Sequence, residues 1–190
     1  MRYRPEHKAE IHRQIVKDAS RRIRADGITG AAVSAVMRDA GLTHGGFYKH
    51  FESKDELLQE SLSESFQEIS DTLIAAAKQA RPAEAWKAIV KTYLRPEMCE
   101  HPGNGCPLPV LASELARVGP TMKREVVAEL QQYRDRMLPF MPGAKPAERE
   151  RAFFAIFSTM TGAIAIARLL PKPVQAKVLA TVREFLLHSF

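Results

Sequence analysis

The run Thr43-His-Gly-Gly-Phe-Tyr-Lys-His-Phe-Glu-Ser-Lys54 gathers hydrogen-bond donors on a short stretch of backbone. Thr43, His44, Tyr48, Lys49, His50 and Lys54 can each donate to an anionic oxygen, and the two lysines carry full charge. Gly45 and Gly46 stand among them. In a helix interior each would cost about 1 kcal/mol relative to alanine. Two in succession suggest a backbone that something must approach closely. Donors around an open backbone suit a polyanion held through its phosphates, with base edges within reach. For any one of these residues alone, a solvated helical surface is the competing reading.

A second group is Cys99, His101 and Cys106. Cys106 falls at or just before the start of a helix read from the sequence, where the helix dipole favours a thiolate. The Gly103-Asn-Gly105 loop beside it could admit reagents. The alternatives are a buried cysteine acting as a small hydrophobe, a Cys99–Cys106 disulfide, or zinc. Zinc would find three ligands at unusual spacing and no obvious fourth. Two cysteines are too few for a disulfide scaffold.

The elements that must position these groups are helical, since no strand alternation is found. Ile11, Ile15, Ala19 and Ile23 form one stripe, giving a first helix over 6–25 that ends before Gly27. Val33, Val36, Met37 and Ala40 mark a second, stopped at Gly41. Thr43 can cap a third, with Phe47 and Phe51 on its inner side. Ser53-Lys-Asp-Glu56 is a capping box opening a long fourth helix. Further helices are expected over 82–98, 106–118, 120–138, 147–170 and 174–188, with 139–146 as a linker. The fold class is therefore all-α with about nine helices. A three-helix DNA-binding domain over 1–54 precedes a larger domain over 55–190.

Charge follows the same division. Of 28 Lys and Arg against 22 Asp and Glu, residues 1–54 hold 11 against 6. Almost all of the net +6 thus sits in the first domain, as a polyanion-binding module on a neutral body would require. The polar N-terminus lacks the apolar core of a signal peptide. The uncharged stretch 152–167 is short for a membrane span. We therefore expect a cytoplasmic protein without membrane association. The helix over 147–170 is apolar around most of its circumference and needs burial on several sides. A Ser/His/Asp arrangement, a Gly-rich phosphate loop and HExxH are all missing, which argues against an enzyme. A helical interaction protein without DNA recognition is the remaining alternative, opposed by the intact run from Thr43 to Lys54.

The short helix, the turn Gly41-Leu-Thr43 and the run that follows have helix-turn-helix spacing. From Gly41 to Leu57 the sequence closely resembles the TetR family of bacterial regulators. The resemblance covers about the first 55–60 residues. It implies that Thr43 caps the recognition helix and touches phosphate, and that His44, Gly45 and Gly46 lie near base edges or backbone. Tyr48, His50 and Lys54 would bind phosphate, and Lys49 a base edge or phosphate. Phe47 and Phe51 would be core. Where the family often has Thr or Ser at the start of its second helix, this chain has Ala31 and Ala32, with Thr29 or Ser34 as replacements. Gly105-Cys-Pro-Leu-Pro-Val-Leu-Ala-Ser-Glu114 is similar to a stretch in one branch of these regulators. Some members of that branch sense electrophiles or oxidants through the cysteine and others bind small ligands. Cys106 is thus the effector or redox candidate, and neither a metal nor a cofactor is expected. The resemblance further implies a homodimer through the last two helices, palindromic operator DNA as partner, and a repressor released by its effector. Trp86, Tyr93, Met98, Met122, Phe153 and Phe154 are candidates for lining a ligand pocket, with plain core as the alternative. Glu114 could meet a ligand, or could cap or pair with Arg117 at the surface.

Overall fold

The computed structural model describes residues 5–190 and is all-α, with no strand among the described residues. Helix α1 spans Pro5–Gly30 but is broken at Gly27, whose φ of 78° and ψ of 179° leave the helical region. Glycine reaches that conformation without steric cost, so the expected stop is where the sequence put it, and one further turn follows. Helix α2 spans Val33–Asp39 and buries Val33, Val36 and Met37. Gly41, with φ 69°, turns the chain. The recognition segment follows at His44–Lys49 and is a 3-10 helix instead of the expected α-helix. Its bonds run from Gly46 N to Thr43 O and from His50 N to Phe47 O, each 2.9 Å. Two glycines weaken the α form here, and the tighter turn suits a short piece. Thr43 is the N-cap by position, but its side chain makes no capping bond. The expected side-chain cap is therefore absent.

The expected capping box forms in half, because the return bond to Glu56 comes from Glu52 N, one residue before the N-cap. Ser53 Oγ accepts from Glu56 N at 3.1 Å, and the Glu56 carboxylate accepts from Glu52 N. It opens α3, Lys54–Gln79, a helix of 26 residues shared by both halves of the molecule. The single helix expected over 82–98 is instead a 3-10 turn (Pro82–Glu84), α4 (Ala85–Tyr93) and a short α5 (Glu97–Glu100). Pro96 has no N–H to continue the helical ladder, and its ring disfavours helix at Arg95. Helix α6 covers Leu108–Leu115, shorter than expected at both ends, and α7 covers Pro120–Met137. A 3-10 turn at Leu138–Phe140 leads to α8 (Pro146–Ala167) and α9 (Lys172–Ser189).

Three apolar clusters hold these elements. One joins α1, α2 and the recognition segment through Ile15, Val36, Met37, Phe47 and Phe51, with Leu42 packed against it. The largest fills the C-terminal body around Leu73, Trp86, Tyr93, Tyr133 and Phe157. The third unites Ile23 of α1, Leu62 of α3, Leu111 and Leu115 of α6, and Val126 of α7. The second half of α1 therefore packs into the body, and the two halves share a core. Helix α8 is long and apolar enough to cross a membrane by length and composition. Its inner face carries Phe153, Phe157 and Met160 into the body core, while Phe154 and Ile166 stay exposed.

Candidate nucleic-acid interface

The recognition segment is anchored from below and open above. Phe47 and Phe51 are buried and stack at 5.4 Å between ring centroids. Successive residues of so tight a turn cannot all face inward. Tyr48 consequently stands 71% exposed, its ring edge-on to Phe47 at 5.2 Å. His44, Gly45 and Lys49 are exposed beside it. A Cβ built on Gly45 would meet nothing within 4 Å, so its backbone faces open space. Gly46 is different: a Cβ there would touch Met37 Cε at 3.4 Å. Gly46 thus fits close packing on α2, and Gly45 leaves the outer face clear.

Thr43, Gly46, Lys49 and His50 line one groove of about 440 Å³, together with Leu42 and with Lys8 and Ile11 from α1. Lys8 was not singled out from the sequence. It lies 35 residues before Thr43 by chain position, and only the crossing of α1 brings it here. His50 is half-buried and its Nδ1 has no hydrogen-bond partner among the described residues. Burial depresses its pKa below the usual histidine value, and His12, Lys8 and Lys49 add repulsion in the same direction. His12 stacks on Phe51 at 4.6 Å and its Nε2 lies 2.7 Å from Glu60 Oε2. Among the described residues the groove's lining has two lysines and no carboxylate, which suits an arriving phosphate oxygen.

Lys54 does not line that groove. It stands at the start of α3 and lines a second cleft of about 390 Å³ with Thr29, Ala31, Ala32 and Asp55. The alanines leave this cleft without the hydroxyl the family pattern would supply. Of the two expected replacements Thr29 is part of its lining and Ser34 is not; Ser61 also lines it but donates to Leu57 O.

The sensor-half candidates are placed differently. Cys106 is buried, two residues before α6, and desolvation pushes its thiol up to about 11 despite contact with Tyr93. The thiolate expected at a helix start is thus not favoured, because loss of water outweighs the local dipole. Cys99 and Cys106 are both free thiols. Together with exposed His101 they do not form a metal-holding group among the described residues. Trp86, Tyr93, Met98, Met122 and Phe153 are core, whereas Phe154 faces outward. A cavity among Tyr133, Met137, Phe153, Phe157 and Met160 measures about 10 Å³, room for one water at most. Glu114 forms no ion pair with Arg117 among the described residues. Its Oε2 accepts from Ile28 N at 3.1 Å.

Residues 15–61 match the family model described as bacterial regulatory proteins, tetR family. No curated protein matches the chain. Among solved structures, a TetR transcriptional regulator from Chloroflexus aurantiacus superposes with a TM-score of 0.78 at 22% identity, covering 95% of this chain and 94% of that one. A TetR-family regulator from Cytophaga hutchinsonii gives 0.75 at 14%, covering 98% of each. The fatty acid degradation regulator FadR of Bacillus halodurans gives 0.68 at 17%, covering 100% and 98%. The architecture is therefore TetR-like over its whole length: an N-terminal helix-turn-helix domain on a C-terminal helical domain.

Proposed function

We propose that this protein is a TetR-type transcriptional repressor that binds palindromic operator DNA as a homodimer and releases it when a small molecule occupies the C-terminal domain. The observation that carries the reading is the recognition segment itself. Exposed Tyr48 and Lys49 flank the open backbone of Gly45, and Thr43, Lys49, His50 and Lys8 line a groove with unmatched positive charge. His44, Gly45 and Lys49 would face base edges, while Thr43, Tyr48, His50 and Lys54 would hold phosphates.

Dimerisation is supported by the far end of the molecule. Ile166 and Leu169 are 57% and 84% exposed at the end of α8, and Phe185 on α9 is 62% exposed. Large apolar side chains left exposed along the α8–α9 hairpin favour a partner surface. A two-fold related copy would cover them and set two recognition segments on successive major grooves. A small-molecule effector is favoured over an electrophile because Cys106 is a buried thiol.

Binding to the protein's own promoter region and to a random-sequence pool, across salt concentrations, tests the reading. Affinity for selected DNA should fall with a log–log slope of about 0.9 per neutralised phosphate. Tyr48→Ala should weaken specific binding about tenfold or more while the helical fold persists. Failure to enrich any sequence from the pool would reject the regulator reading.

A further inference from the structure

The chain from Gly27 onward carries α2 and the recognition segment, and Ile28 and Ala31 pack it against the third apolar cluster. Gly27 is buried and breaks α1 at φ 78°. Ile28 N is the first amide beyond the break, and it donates to Glu114 Oε2 of α6 across 86 positions of sequence. The other carboxylate oxygen, Oε1, would lie 2.6 Å from a Cβ at Gly27. The carboxylate can reach this amide only because position 27 has no side chain. Glycine is thus needed twice here, for its backbone conformation and for the space.

A second grip lies one turn earlier. Arg24 is fully buried, donating from Nη1 to Gly105 O at 3.3 Å and from Nη2 to Ser20 Oγ and Glu68. Gly105 and Glu114 belong to one short stretch of the body, running from the loop before Cys106 to the end of α6. That stretch therefore holds the last regular turns of α1 and the hinge beyond them at once. Leu111 and Leu115 on the same helix pack against Ile23 and Leu62, which fixes where the carboxylate stands.

We infer that Glu114 is a positioning residue for DNA binding: its bond to Ile28 N ties the end of α1 to α6, and with it sets the placement of the recognition segment relative to the body. This rests on the regulator reading for its consequence on DNA, though not for the hinge contact itself. An accepting oxygen on this half-buried amide holds the hinge in place. Movement of α6 that withdraws the carboxylate would free the hinge without unfolding either half. In a dimer, freeing it in both copies would loosen the distance between the two recognition segments.

The test uses the full chain in three forms: wild type, Glu114→Ala and Glu114→Gln. Glutamine keeps an acceptor oxygen, so it should behave like wild type. Hydrogen exchange at Ile28 N should speed up about tenfold in Glu114→Ala and stay near wild type in Glu114→Gln. Exchange in α7 and α8 should be the same in all three. On selected operator DNA, wild type should discriminate sharply against one extra base pair between half-sites. Glu114→Ala should lose about tenfold of that discrimination, with Glu114→Gln restoring it. Unchanged exchange at Ile28 together with unchanged spacing preference would overturn the inference. So would a uniform loss of protection throughout Glu114→Ala, since that marks a purely structural role. If wild type enriches no DNA, the regulator reading falls, and the exchange comparison still decides whether Glu114 fixes the hinge.

Discussion

The two ends of this molecule expose opposite things. At the N-terminal end the exposed groups are Tyr48, His44 and Lys49 around bare glycine backbone. At the far end they are Phe154, Ile166, Leu169 and Phe185. Both ends are anchored by well-packed aromatic pairs, Phe47 on Phe51 in one and Phe153 on Phe157 at 5.3 Å in the other. The difference therefore lies in what each end presents outward. Donors with unmatched charge call for a polyanion, whereas grouped apolar side chains call for an apolar surface such as a second copy. A regulator needs both, because one recognition segment alone reads too short a site.

The largest expected effect comes from erasing the apolar end. The double substitution Leu169→Glu and Phe185→Glu should convert the dimer to a monomer by sedimentation and reduce operator affinity about 100-fold or more, as linked binding is lost. Retention of a dimer would place the interface elsewhere and break the comparison. Next is the anchor at the other end. Phe47→Ala should destabilise the N-terminal unit by about 3–5 kcal/mol, read as early loss of protection in α2 with the body core still folded. A single cooperative loss of both would show that the third cluster binds the halves into one unit. The smallest effect concerns His50. Its pKa lies below the usual value in the free protein, and a phosphate beside it would raise it. DNA binding would then take up a proton, so affinity should rise severalfold as pH falls from about 7.5 to about 6. His50→Gln should flatten that slope. An equal slope in His50→Gln would remove His50 from the phosphate contacts.

Much of the recognition end could be read directly from the chain. Gly41 marks a stop because only a turn at positive φ follows α2. The four-residue spacing of Phe47 and Phe51 fixes their common inward side in either helix type. For that same reason the spacing could not distinguish the 3-10 form from the α form. Lys8 escaped notice because α1 approaches the groove through tertiary packing alone. The break at Pro96 was available locally, from the missing N–H, and periodicity across 82–98 overrode it. Cys106 and Glu114 were legible as residues of interest but not in their surroundings. Burial decided the first, and a contact spanning 86 positions decided the second.

Helix α3 begins at the recognition end with Lys54 and runs along the body to Gln79. At about 1.5 Å per residue it is a rod of roughly 39 Å. Pivoting such a rod by about 5° at its body end would carry its tip some 3 Å sideways, about the rise of one base pair. Side-chain rearrangements too small to open a visible channel in the body are therefore large enough, at the DNA end, to shift the register by one step of the duplex.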